Sequence, residues 1–116
     1  MKKVTAFVGS ARKQHTYNAV RQFLSSLESL GDIESEIVRL SECKLEICRG
    51  CKLCIVKGEE FCQFKDDRDM LIQKMMASDG VVFASPNYSF QVSGIMKGFL
   101  DRLGFVFHRP RFFGKV

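Results

Sequence analysis

The chain has 116 residues, 46% of them hydrophobic and 27% charged, which suits one small soluble globular domain. No apolar run approaches the ~18 residues that a membrane span needs, and no secretory signal is recognisable, so we predict a cytoplasmic protein with no membrane association. The formal net charge is +5, but the basic residues are scattered. We therefore expect no nucleic-acid partner, and part of this charge would attract an anionic cofactor.

The first half of the chain predicts a strand, a helix and a second strand. Apolar residues at 4–8 do not alternate, which is typical of a strand buried on both faces of a parallel sheet. Helical spacing of apolar residues then predicts an amphipathic helix at about 16–30. Residues 33–40 predict a half-exposed, peripheral strand.

The second half begins with a long segment, residues 41–65, which holds all five cysteines and shows little periodicity. Long loops of this kind are usually functional. A helix is predicted from about Asp66, followed by a buried strand at 81–84 and a third helix at about 91–103. The order β-α-β-loop-α-β-α predicts an α/β domain with a parallel sheet and right-handed crossovers.

A fourth strand would begin at residues 113–116, where the chain stops. We therefore interpret residues 1–116 as a single, C-terminally truncated domain with a cysteine-rich insertion at 41–65. The outer edge of the third strand would be left unpaired, unless another chain covers it.

Two polar loops follow the first and third predicted strands, where open α/β sheets bind ligands. In residues 9–18, the hydroxyl, amide and guanidinium groups and a helix N-terminus suit a phosphate. The groups concerned belong to Ser10, Arg12, Thr16 and Asn18. An ordinary turn with Thr16 as helix N-cap is the alternative. In residues 85–89, backbone and aromatic groups suit a flat ring.

The spacing of four cysteines is C-x2-C-x2-C-x7-C, formed by Cys48, Cys51, Cys54 and Cys62. Three cysteines at two-residue gaps can wrap one cubane iron–sulfur cluster, and a fourth from further along can close it. Zinc bound by four thiolates and a loop of reduced thiols without metal are the two alternatives. Cys43 lies outside this spacing and is interpreted as a bystander.

Three segments together resemble the flavodoxin-like NAD(P)H-dependent FMN reductases. They are G-S-x-R-K with T-Y-N at 9–18, S-P-N-Y at 85–88 and S-G-x-x-K-x-x-x-D-R at 93–102. The cysteine loop resembles that of the iron–sulfur flavoproteins, a branch of the same group. The family fold is a three-layer α/β/α domain with strand order 2-1-3-4-5, of which this chain contains three strands and lacks the third FMN loop.

The resemblance also implies site residues. The FMN phosphate would be held by Ser10, Arg12, Thr16, Tyr17 and Asn18. The isoalloxazine ring would be lined by Pro86, Asn87, Tyr88 and Ser89. A [4Fe-4S] cluster would be ligated by Cys48, Cys51, Cys54 and Cys62. Since the cofactor carries the hydride chemistry, no catalytic acid or base is assigned to the protein.

We therefore predict an FMN-binding oxidoreductase or electron-transfer flavoprotein. It would accept hydride from NAD(P)H, or electrons from a protein donor, and pass them to a small-molecule or protein acceptor. Because members of this family are usually dimers or tetramers, the resemblance implies a homodimer or homotetramer. The alternatives are a zinc-stabilised binding or oligomerisation module, and an inactive truncated paralogue.

Overall fold

Three parallel strands form the centre of the molecule in the computed structural model, which describes residues 1–107, 112 and 114–116. They are β1 (Lys2–Val8), β2 (Ile33–Arg39) and β3 (Gly80–Ala84), in the order β2-β1-β3. β1 is paired on both sides, and Val8 lies opposite Arg39 on one neighbour and Ala84 on the other. This order confirms the predicted arrangement of the first three family strands.

The described residues form four α-helices, of which α1 (His15–Ser29), α3 (Arg68–Ala77) and α4 (Gly94–Asp101) pack on the sheet and α2 (Leu53–Val56) belongs to the cysteine-rich segment. On one face, Val20 and Leu24 of α1 pack with Ala6 and Val8. On the other face, residues of α3 and α4 pack around Phe7. Since both faces of β1 are buried, the prediction of a three-layer α/β/α domain is confirmed.

The predicted helix at 91–103 starts too early. Gln91–Val92 is a short strand, β5, which pairs antiparallel with β4 (Asn87–Tyr88). The two turn residues, Ser89 and Phe90, have positive φ angles of 51° and 67°, as in the type I′ turns that match the twist of a hairpin. The apolar spacing of residues 92–103 reads as helical and so conceals this hairpin.

The cysteine loop is also more ordered than its sequence indicates. It contains α2 and two 3-10 turns, Leu40–Glu42 and Glu59–Phe61. The following helix starts at Arg68 rather than at Asp66, because the carboxylates of Asp66 and Asp67 accept hydrogen bonds from the backbone N–H groups of Glu46 and Lys44. These two aspartates therefore close the base of the loop.

The last residue of the chain pairs with the outer edge of β3. The N–H of Val116 donates to the carbonyl of Asp79 at 3.0 Å, and the N–H of Val81 donates to the carbonyl of Val116 at 2.7 Å. These two bonds have the parallel pattern and lie where a fourth strand is expected to begin, so the outer edge of β3 is paired at this one residue; Phe113 lies outside the described residues. None of the described helices is long and apolar enough to cross a bilayer.

Candidate functional site

The two polar loops meet at the carboxyl edge of the sheet, where β1 and β3 end side by side. The N–H of Gly9 donates to the carbonyl of Ala84 at 2.8 Å. Ser93, the N-cap of α4, donates from Oγ to the carbonyl of Gly9 at 2.6 Å, and its own N–H donates to Ser85 Oγ at 2.8 Å. Buried Ser93 therefore ties the first loop, the second loop and α4 together.

Gly9 is required by this arrangement because a side chain does not fit there. A Cβ atom at Gly9 would lie 2.8 Å from Met96 Cβ and 2.9 Å from Ser93 Oγ, closer than real Cβ contacts. The absence of a side chain thus lets the end of β1 approach the N-terminus of α4.

The first loop is shaped by buried Ser10, whose Oγ accepts a hydrogen bond from the N–H of Arg12 at 3.2 Å. The side chain of Arg12 is exposed. α1 then starts at His15, and its N-cap residue Gln14 makes no side-chain cap hydrogen bond. The interpretation of Thr16 as N-cap is therefore wrong, since Thr16 lies inside the helix.

The rest of the predicted phosphate set lies in the first turn of α1. Thr16 and Tyr17 are half-buried and Asn18 is exposed. The first-turn N–H groups of a helix have no intrahelical partner, and no side-chain cap from Gln14 takes their place here. The loop therefore presents backbone donors, hydroxyls and one guanidinium at a single helix N-terminus, the type of site that binds a phosphate.

The second loop carries its predicted ring contacts on the β4–β5 hairpin. Pro86 is half-buried, and Asn87 and Ser89 are exposed. Tyr88 is 51% exposed, and Phe90 at the tip of the turn is 94% exposed. The hairpin thus projects aromatic surface from the same sheet edge as the phosphate-type loop.

The cysteine loop brings its four spaced thiols together. Cys48, Cys51, Cys54 and Cys62 line one cavity of about 30 Å³, and none of them forms a disulfide. Cys43 lies apart, packs against the core and donates from Sγ to the carbonyl of Arg39 at 3.7 Å. Burial raises the pKa of Cys43, and the nearby Asp67 and Glu42 raise it further, so this thiol remains protonated.

The four thiols that line one cavity are a donor set for either an iron–sulfur cluster or a zinc ion. Within the described part of the chain, no three His, Cys, Asp or Glu side chains converge as a single-ion site requires. A cubane cluster places its irons at separate corners and needs four thiolates at wider spacing. The cavity holds about one water, so it must widen to admit a cluster. Cys48 and Cys51 are exposed, so this side of the cavity faces solvent.

A buried ion pair lies beneath this loop. The guanidinium of Arg102 binds the carboxylate of Asp66 in a bidentate pair, with N–O distances of 2.7 and 3.1 Å. Burial lowers the pKa of Arg102, but hydrogen bonds to Asp66 and Cys62 outweigh it, and the pKa is raised overall. For Asp66, burial raises the pKa, but hydrogen bonds from Arg102 and from backbone N–H groups outweigh it, and the pKa is lowered overall.

The sequence-based prediction gives no site role to three residues of the site, although two of them, Ser93 and Arg102, begin and end the S-G-x-x-K-x-x-x-D-R segment. Ser93 was concealed because the predicted helix began at residue 91, although a serine three residues before an apolar helical position is a common N-cap signal. Arg68 lies in a charged run and Arg102 follows Asp101 at the end of an apolar helical segment, and both look like surface residues, yet they are 1% and 3% exposed. No local pattern indicates their burial, because their partners are distant in sequence.

The fold and this loop arrangement define a flavodoxin-like α/β domain with its candidate site at the carboxyl edge of the sheet. The sequence profile of the family described as NADPH-dependent FMN reductase matches residues 2–116. The chain belongs to that family.

Its relatives carry the name iron–sulfur flavoprotein. One from Archaeoglobus fulgidus is 39% identical over 114 residues, covering 97% of this chain and 50% of the relative. One from Methanocaldococcus jannaschii is 36% identical over 101 residues, covering 86% and 51%. One from Clostridioides difficile is 33% identical over 109 residues, covering 91% and 48%. The predicted family and branch are thus confirmed, and the chain spans about half the length of these relatives.

Solved structures share the fold. RosB with bound intermediate 8-demethyl-8-formylriboflavin-5′-phosphate superposes with a TM-score of 0.70 at 18% identity, covering 90% of this chain and 42% of that one. An azoreductase from Bacillus anthracis superposes with a TM-score of 0.68 at 17% identity, covering 89% and 55%. At these identities, the similarity establishes the flavodoxin-like fold.

Proposed function

We propose that this chain is the flavin- and cluster-binding part of an oxidoreductase that takes electrons from NAD(P)H or a protein donor and passes them to a small-molecule or protein acceptor. The observation that carries this proposal is the junction at Ser93, which joins a phosphate-type helix N-terminus to an aromatic hairpin. Names of relatives that combine iron–sulfur and flavin support it.

The phosphate of FMN would lie at the N-terminus of α1. Ser10 shapes the loop, Arg12 supplies a positive fork, and Thr16, Tyr17 and Asn18 add polar groups around the first turn. A doubly charged phosphate gains from the helix dipole and from charge-assisted hydrogen bonds. The ring would then extend toward the hairpin, against Pro86, Asn87, Tyr88 and Ser89.

The four spaced cysteines would hold a [4Fe-4S] cluster. Their number and soft thiolate chemistry suit iron–sulfur ligation. The cysteine loop also adjoins the first flavin loop, since Ala11 of that loop and Ile47 of the cysteine loop line one groove of about 410 Å³. Bound FMN supplies hydride and single-electron chemistry, and a bound cluster supplies single-electron transfer.

The first experiment is an absorbance spectrum of protein purified without oxygen, with iron, sulfide and zinc assays on the same sample. We expect flavin bands, a broad iron–sulfur absorption and about four irons per chain. Zinc in place of iron would contradict the cluster assignment. A sample that contains no flavin and binds no added FMN would contradict the flavin assignment.

A second experiment tests the phosphate site alone. Riboflavin lacks the phosphate, so Arg12→Gln should weaken FMN binding about tenfold and leave riboflavin binding unchanged. Flavin fluorescence quenching measures both affinities. Arg21→Gln, at an exposed position of α1, removes the same charge and serves as the control. An equal loss of affinity for both flavins would place Arg12 outside the phosphate site.

A further inference from the structure

Arg102 contacts both the backbone of the cysteine loop and one of its thiols. Its Nη1 donates to the carbonyl of Glu46 at 2.8 Å, and its Nη2 lies 3.5 Å from Cys62 Sγ and 3.5 Å from the carbonyl of Phe64. The same two nitrogens, Nη1 and Nη2, also donate to the two carboxylate oxygens of Asp66. The side chain of Arg102 is 1% exposed, so these contacts are shielded from water.

A second buried arginine supports the first. Arg68 Nε donates to the carbonyl of Arg102 at 2.9 Å, and Arg68 Nη1 donates to the carbonyl of Glu59 at 3.0 Å. Arg68 Nη2 is buried and has no hydrogen-bond partner among the described residues. Both arginines line the cavity that the four cysteines share. A buried cation with an unused N–H group is costly, and an anion in that cavity would lower the cost.

Building on the function proposed above, we propose that Arg102 is the positioning residue that sets the reduction potential of the cluster. It donates an N–H to Cys62 Sγ and places a positive charge beside the thiolate cavity, which Arg68, paired with Asp69 at 3.1 Å, also lines. A thiolate-ligated cluster gains one negative charge when it takes up one electron. A fixed cation and a hydrogen bond to sulfur therefore stabilise the reduced form more than the oxidised form.

The step that Arg102 would influence is the one-electron reduction of the cluster. A bound cluster would take up one electron from a one-electron reductant such as dithionite, with no covalent bond formed or broken and no proton required. Arg102 remains protonated and paired with Asp66 in both states. The carboxylate of Asp66 lies beside the same guanidinium, and its negative charge partly offsets the effect of Arg102 on the cluster.

The two members of the ion pair should therefore shift the potential in opposite directions. The protein is reconstituted with iron and sulfide without oxygen, and its reduction by dithionite is followed by absorbance and electron paramagnetic resonance. Arg102→Gln should lower the equilibrium constant for reduction about tenfold, which is about 59 mV to more negative potential for one electron. Asp66→Asn should move the potential to more positive values. Arg21→Gln should leave it unchanged.

A purely structural role would give a different result. Arg102→Lys keeps the positive charge and should therefore retain most of the wild-type potential. If Arg102 acted only by holding the loop together, lysine would not restore the potential. If Arg102→Gln does not fold, Arg102→Lys and Asp66→Asn carry the test. The inference would be overturned if Arg102→Gln and Asp66→Asn shift the potential in the same direction, or if a loaded Arg102→Gln protein has the wild-type potential. Wild-type protein that takes up no iron would instead overturn the proposed cluster itself.

Discussion

Ser93 Oγ donates a hydrogen bond of 2.6 Å to the carbonyl of Gly9, across 84 positions of sequence. The same oxygen accepts the N–H of Met96 at 3.1 Å and so caps α4. One buried hydroxyl thus fixes the helix start and the exit of the central strand at the same time. This hydroxyl should therefore contribute both to the stability of the fold and to flavin binding.

Removing the hydroxyl in Ser93→Ala should lower the free energy of unfolding by about 1–3 kcal/mol, because a cap and a buried hydrogen bond are lost together. It should also weaken FMN binding, since the two loops lose their tie. Urea unfolding and flavin fluorescence measure the two effects. Ser25→Ala, at an exposed position of α1, should stay within about 0.5 kcal/mol of wild type. A Ser93→Ala protein as stable as this control would contradict the role assigned to the tie.

Adding a methyl group at the other end of the contact should have a similar effect. Gly9→Ala places a Cβ 2.8 Å from Met96 Cβ and forces α4 away from β1. We expect a loss of about 1–3 kcal/mol and weaker FMN binding, measured by the same two methods. Gly31→Ala is the matched control, because nothing lies within 4 Å of its Cβ position. Equal stability of the two variants would show that the site tolerates the methyl group.

The five cysteines should divide into four ligands and one bystander. Cys54→Ala should reduce the iron bound after reconstitution, because a cubane cluster needs its full ligand set. Cys43→Ala should keep about four irons per chain, since Cys43 lies outside the shared cavity. Iron and sulfide assays per chain measure the difference. Equal iron loss in both variants would argue that the whole loop, rather than the four spaced thiols, controls loading.

Acid should weaken the fold through Asp66. Its pKa is lower in the folded protein than in the unfolded chain, so its ionised form adds stability above the ordinary aspartate pKa of about 3.9. That stability is lost as the pH falls through the lower, folded-state pKa. The free energy of unfolding should therefore decline below about pH 5, and Asp66→Asn should flatten this decline.

At neutral pH, the same Asp66→Asn variant should be destabilised by about 3–5 kcal/mol, because Arg102 is left as a buried charge without its partner. Urea unfolding across the acid range measures both features. The control is Asp32→Asn, whose side chain is 74% exposed and should contribute within about 0.5 kcal/mol. An unchanged acid profile in Asp66→Asn would assign the decline to other carboxylates.

Much of the sheet could be predicted because its signals are local. An apolar run at residues 4–8 without alternation indicates burial on both faces, and β1 is indeed central. The hairpin was missed because its signal is a pair of positive φ angles at Ser89 and Phe90, and neither residue type favours them. The spacing of apolar residues cannot show that Ser89 and Phe90 adopt positive φ angles.

The candidate site divides in the same way. Hydroxyls after a buried strand and closely spaced cysteines are visible in the sequence, so both loops and the shared cysteine cavity could be expected. The pairing of Arg102 with Asp66 spans 36 positions, and the contact of Ser93 with Gly9 spans 84. Such contacts depend on how the chain closes in three dimensions, which apolar periodicity does not specify.

The double pairing of β1 also has a kinetic consequence. Amides hydrogen-bonded at the centre of a sheet open only in the largest unfolding events, so the β1 amides should be among the last in the chain to exchange with deuterium. Gly9 follows this strand directly and is bonded to Ala84. The phosphate-type loop is therefore anchored to the slowest-exchanging part of the molecule, whereas the cysteine loop, with Cys48 and Cys51 exposed, should exchange early and slow down only when a cluster closes it.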